Sequence, residues 1–155
     1  MVRQVLLLLS TAWALVSASG CQEATTSTSE SSDQKTTGRA EIRSAARGEV
    51  GALVRAELAL AEKEGRRLVI YVGASWCEPC EYFQDAVEAG QLPEEFADLR
   101  FLKFDNDVDD ERLSAAGFGG RMIPRFVVPK SDGTGSASRF EGSIKGPGAI
   151  DNIVP

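Results

Sequence analysis

The strongest constraint on the fold is the run Leu68-Val69-Ile70-Tyr71-Val72, which passes through Gly73-Ala74-Ser75 straight into Trp76-Cys77-Glu78-Pro79-Cys80. A continuous apolar run rich in β-branched residues, with no polar alternation, describes a strand buried at the centre of a sheet. A cysteine placed directly after such a strand falls at the N-terminus of the next helix. Free N–H groups and the positive end of the helix dipole favour a thiolate there. Cys80, three residues on, lies one turn further on the same side, so the two sulfurs can meet. Pro79 is tolerated in a first helical turn, because the N–H it lacks would have no intrahelical partner.

The rest of the domain reads as elements that would wrap this strand. Apolar residues at Val50, Leu53, Val54, Leu58 and Ala61 follow the helical period over Glu49–Glu64, and Gly65 is the expected stop. A helix from the dithiol should continue through Tyr82, Phe83, Ala86 and Val87 to Gly90. Leu99–Phe104 reads as a second strand, and Asn106 or Asp107 as the cap of a short helix ending at Gly117. Asp109, Asp110 and Glu111 would complement that helix's dipole. Arg125–Val128 is a third strand, Ser131–Thr134 a turn, and Ser138–Phe140 a fourth strand. Ala149–Val154 begins a helix that is either very short or continues in a longer chain. Strands alternating with helices, closed by a hairpin, give an α/β domain with a central mixed sheet flanked by helices.

Composition removes several kinds of chemistry. The 155 residues include no histidine, which excludes Ser-His-Asp and Cys-His catalysis as well as His-ligated zinc and copper. Net charge is −6, with Arg3 the sole charge in the first twenty residues. An acidic chain without a Lys/Arg cluster lacks the footprint of a nucleic-acid binder. The acidic run Asp105–Glu111 lacks the glycine and spacing of a calcium loop and reads as a solvated helix start.

Residues 1–20 have the pattern of an export signal: Arg3, an apolar stretch of twelve residues from Val5 to Val16, then Ser17, Ala18, Ser19 and Gly20. That stretch falls short of the about twenty residues a membrane-spanning helix needs. Ala18-Ser19-Gly20-Cys21 resembles the lipobox of bacterial lipoproteins, which implies lipidation of Cys21 at the mature N-terminus. An ordinary signal followed by an incidental thiol is the alternative. Residues 22–38 contain no large apolar residue and cannot bury enough surface to offset the entropy of ordering. The expected organisation is therefore a signal over 1–20, a lipidated cysteine and Ser/Thr-rich tether over 21–39, and a folded domain over 40–155. Three cysteines fit this division, since a lipidated Cys21 leaves Cys77 and Cys80 as one pair.

A Cys-x-x-Cys pair has competing readings. Half a zinc site lacks its second half here, though carboxylates remain as ligands. A structural disulfide usually staples distant segments rather than adjacent turns. Redox exchange is the third reading.

Val69–Cys80 resembles the active-site strand and helix of thioredoxins, and Met122-Ile123-Pro124, about forty residues later, matches that family's Ile-Pro element. The resemblance covers residues 48–145 and implies the thioredoxin fold. It also implies a cis proline whose loop faces the cysteines and lets a substrate's extended backbone pair beside the nucleophile. Cys77 would attack and Cys80 resolve, with Trp76, Glu78 and Pro79 supporting the site and Ile123 and Pro124 binding substrate. No cofactor or metal is implied. The short loops and the turn at Asp132-Gly133 look most similar to exported thioredoxin-like domains such as the C-terminal domain of DsbD. Expected partners are protein thiols and disulfides, an electron-donor protein and, through the lipid, a membrane of the cell envelope facing the periplasm or the exterior. The domain is expected to be a monomer.

One position departs from the family. Thioredoxins bury an aspartate six residues before the nucleophile, and Tyr71 stands there. Proton transfer is then left to Glu78, Glu81 or water. Tyr71 also keeps open a thioredoxin-fold binding module with an inert disulfide; a metallochaperone is weakened by the lack of His and Met near the motif. Glu78 and Glu81 disfavour a thiolate, which tilts the couple toward a reductant. Arg125 reads as a solvated charge at a strand end, with a place at the substrate groove as the alternative, and Trp76 as partial cover for the dithiol or as packing.

Overall fold

A computed structural model describes residues 38–154. The export signal, Cys21 and nearly all of the tether lie outside the described residues. The elements are β1 (Glu41–Ser44), α1 (Val50–Lys63), β2 (Arg67–Gly73), α2 (Glu78–Ala89), a 3-10 turn (Glu94–Phe96), β3 (Leu99–Asp105), α3 (Asn106–Ala115), β4 (Arg125–Pro129), β5 (Gly135–Glu141) and α4 (Ala149–Ile153). The sheet has five strands in the order β1-β3-β2-β4-β5. Strands β1 and β2 run parallel to β3, whereas β4 is antiparallel to β2 and β5 to β4. This is the α/β thioredoxin fold, a mixed sheet with helices on both faces.

The sheet's period of two divides the core. Leu68, Ile70, Val72, Leu102, Phe104 and Val127 pack with Val50, Val54 and Ala61 of α1 and Leu113 of α3. On the opposite face Tyr71, Phe101 and Phe126 pack with Phe83 and Val87 of α2, and with Ile150 and Ile153 of α4. The rings of Tyr71, Phe83, Phe101 and Phe126 lie with centroids 4.8–6.0 Å apart, the range of favourable tilted and stacked pairs. Strand β2 is apolar on both faces because both faces are covered.

Helix α1 starts where Glu49 accepts from the amides of Gly51 (2.7 Å) and Ala52 (2.6 Å). Helix α2 stops at Gly90, which is left-handed at φ 69°, with Gln91 N–H donating to Ala86 O. Several boundaries differ from the sequence reading by a few residues, most clearly at α3 and β5. The cap of α3 is Asp105, whose carboxylate accepts from Asp107 and Val108 amides, rather than Asn106 or Asp107. Strand β5 extends to Gly135–Glu141 on either side of the expected Ser138–Phe140.

The sequence reading missed β1. This four-residue edge strand is held partly by charge. Arg100 on β3 is fully buried and donates to Glu41 of β1, to Glu57 of α1 at 3.1 Å, and to Glu64. One guanidinium thereby ties β1, α1 and β3. Removing it leaves carboxylates that still reach solvent, so the loss falls at the low end for a broken buried pair. Arg100→Ala is expected to cost about 3 kcal/mol, read as a lower urea midpoint at unchanged slope.

Candidate active site

Strand β2 ends at Gly73, and Ala74, Ser75 and Trp76 turn the chain into α2. Cys77 is the N-cap of that helix in an extended conformation, with Glu78, Pro79 and Cys80 forming its first turn. The amides of Cys80 and Glu81 both donate to Cys77 O, at 2.9 and 3.1 Å. Cys77 and Cys80 are joined by a disulfide, with Cα atoms 5.2 Å apart. Cys77 retains 4% exposure and Cys80 none, so an incoming group meets Cys77 first.

The peptide between Ile123 and Pro124 is cis. The register pairs Val72 with Arg125 and Tyr71 with Phe126, which brings Pro124 level with the end of β2, just before the turn into the dithiol. Ile123 packs against the cluster holding both cysteines. Sequence-distant Ile123, Pro124, Cys77 and Cys80 thus gather at one end of the sheet. Trp76 is largely exposed, at 66%, and its Nε1 donates to Asp107 Oδ2 at 2.7 Å, which ties the dithiol turn to the start of α3. Glu78 and Glu81 project into solvent from the first turn of α2.

Behind Cys80 lies a polar set that sequence reasoning did not find. The Tyr71 hydroxyl donates to Cys80 O at 3.4 Å and accepts from Gln84 Nε2 at 3.3 Å. Gln84 Nε2 also donates to Cys80 O at 3.0 Å, and Gln84 Oε1 accepts from Lys103 Nζ. Lys103 is the register partner of Tyr71, and Gln84 is one helical turn after Cys80. The spacings were visible, but the pairing of β2 with β3 was needed to join them. A Cβ on Gly73 would lie 2.7 Å from the Tyr71 hydroxyl and 3.3 Å from Cys80 Sγ. Only glycine leaves room for both groups at that point. Burial pushes the Tyr71 phenol up from 10.0 despite the hydrogen bond from Gln84. Near neutral pH it is a fixed donor and not a base.

Arg125 corrects the sequence reading most sharply. It is fully buried, not solvated. Its side chain shares the α1/α3 face with Val127, Nη1 donates to Met122 O at 3.3 Å, and Nε and Nη2 have no partner among the described residues. Burial pulls the guanidinium below its ordinary value, against the attraction of Glu141 and Asp110. No group of three or more His, Cys, Asp or Glu suited to a metal occurs among the described residues.

No family model matches the chain. Over 69 residues it is 33% identical to thioredoxin H2 of Arabidopsis thaliana, covering 44% of this chain and 49% of that protein. The chain thus spans about half the length of the curated relative it matches. Among solved structures, a mutant thioredoxin from Halobacterium salinarum has a TM-score of 0.45 and 22% identity, over 74% of this chain and 88% of that one. Trxlp from Edwardsiella tarda has a TM-score of 0.45 and 18% identity, over 74% and 97%.

The buried phenol has a consequence for stability. Because its folded pKa lies above the unfolded value of 10.0, its contribution is complete below that pH and is lost as pH rises toward the folded value. Urea midpoints taken at about pH 9 and about pH 11 should fall for the wild type, and fall less for Tyr71→Phe.

Proposed function

We propose that this protein is an exported, lipid-tethered thiol–disulfide oxidoreductase that reduces disulfides of protein substrates through Cys77 and Cys80. The observation that carries the reading is the Cys77–Cys80 disulfide at the N-terminus of α2, level with the cis Ile123–Pro124 peptide. Helix N–H groups and the dipole stabilise a Cys77 thiolate in the reduced protein. That thiolate attacks one sulfur of the substrate disulfide, forms a mixed disulfide and expels the other sulfur as a thiolate, which takes up a proton. Cys80, deprotonated, then attacks Cys77 Sγ. The substrate leaves as a dithiol, having gained two electrons and two protons, and the Cys77–Cys80 disulfide is regenerated. A donor dithiol must reduce it again by the reverse exchanges.

The phenol of Tyr71 and the amide of Gln84 hold Cys80 through its carbonyl, so the resolving residue is fixed by neutral donors. The reducing direction is supported by Glu78 and Glu81, whose carboxylates stand in the first turn of α2 and disfavour a thiolate beside them. Export and tethering rest on the Arg3–Gly20 pattern, on Cys21 and on the polar residues 22–38. Globomycin sensitivity and the mass of the mature N-terminus test the lipid.

The experiment for the activity is insulin reduction with dithiothreitol as donor, comparing the wild type with Cys77→Ser. The variant is expected to lose all acceleration over dithiothreitol alone. Equal rates for the two proteins would leave a binding module with an inert disulfide.

A further inference from the structure

The cis-proline segment is held from one side by an unusual set of charged side chains. Glu141 on β5 is the register partner of Arg125 on β4. Its Oε2 accepts from the amides of Arg121 at 3.0 Å and Met122 at 3.4 Å. Arg125 Nη1 donates to Met122 O from the buried side. Arg139 extends the grip backwards, donating to Gly119 O and Gly117 O at 2.9 Å each, with Nη1 3.7 Å from Glu141. Beyond the proline, Gly142 N–H donates to Pro124 O at 2.8 Å. The chain lies tight against the two partners: a Cβ on Gly120 would sit 2.5 Å from Glu141 Oε1 and 2.6 Å from Arg125 Cδ. The outer side of the segment is open, with Met122 56% exposed.

Arg125 is the informative member. Its neighbours on the same face are apolar core residues, and a long apolar side chain would fill the position without burying a charge. A buried guanidinium with two nitrogen atoms unpartnered among the described residues works against stability. What it supplies instead is a donor to the carbonyl of Met122, on the main chain that precedes the proline. Glu141 supplies the matching acceptor for the amides of the same residue and of the one before it.

We infer that Arg125 and Glu141 are positioning residues that fix the main chain from Arg121 to Pro124 where a protein substrate's extended backbone docks. They set affinity for protein disulfides without touching the sulfurs. The inference rests on the oxidoreductase reading above. A substrate too small to pair with the segment, such as hydroxyethyl disulfide, reaches Cys77 without using it.

The test is steady-state reduction of insulin and of hydroxyethyl disulfide by the wild type, Glu141→Ala, Glu141→Gln and Arg125→Met. Glu141→Ala and Arg125→Met are expected to raise KM for insulin about fivefold or more at nearly constant kcat, leaving hydroxyethyl disulfide unaffected. Glu141→Gln keeps a carbonyl oxygen for the two amides and is expected to restore most of the affinity. Arg125→Met should unfold at the same urea concentration as the wild type or a higher one, so its weaker docking is not a folding defect. An unchanged KM for insulin, or a parallel loss with hydroxyethyl disulfide, would overturn the proposal while leaving the oxidoreductase reading intact. A wild type that reduces neither substrate would remove that reading and this proposal with it.

Discussion

Strand β2 is hydrogen-bonded along both edges, to β3 in parallel and to β4 antiparallel, and the dithiol end of the molecule is placed by that double pairing. A strand paired on both sides and covered on both faces has no freedom to slip, because a one-residue shift would exchange its two apolar faces. Its last residue therefore fixes where α2 can begin, and so fixes Cys77. The same register fixes β4, and with it the height of Pro124. The dithiol and the proline stand at the same end of the sheet because each is a short extension of that ladder.

The same ladder places Tyr71, and no acid, behind Cys80. An aspartate at position 71 would be an ionisable group among Phe83, Phe101 and Phe126. Tyr71 stacks within the same rings and presents only a hydroxyl, which finds Gln84 and the Cys80 carbonyl. The charge nearest to this set, Lys103, acts through the Gln84 amide. The environment of Cys80 is thereby polar but uncharged at its innermost point. Glu78 and Glu81 stand outside this set, exposed on the first turn of α2.

Much of this was legible in sequence because it depends on local chemistry. A continuous apolar strand, a Cys-x-x-Cys at a helix start and Ile123-Pro124 before a strand each carry their own physical reason. What escaped were features that exist only once the strands are paired. Strand β1 reads Glu-Ile-Arg-Ser, with too little apolar content to announce itself, because its place comes from a ladder to β3 and a charge on Arg100. Asp105 and Asn106 are both good caps, and the end of the β3 ladder, not propensity, decides between them. Lys103 and Gln84 are nineteen residues apart and carry no motif. Arg125 at a strand start reads as solvated, and only the covering loop and Glu141 bury it.

Two arginines fully buried among the described residues make the final contrast. Arg100 meets three carboxylates and ties three elements together, so its burial is compensated within the fold. Arg125 faces Glu141 and Asp110 at longer range, without an ion pair within 4 Å among the described residues, and spends one hydrogen bond on a loop carbonyl. Both side chains sit where an apolar one would pack, yet only the first is matched to its surroundings. Stability accounts for Arg100. For Arg125 the surroundings point instead to the segment it touches, the main chain that leads into the cis proline at the dithiol end of the sheet.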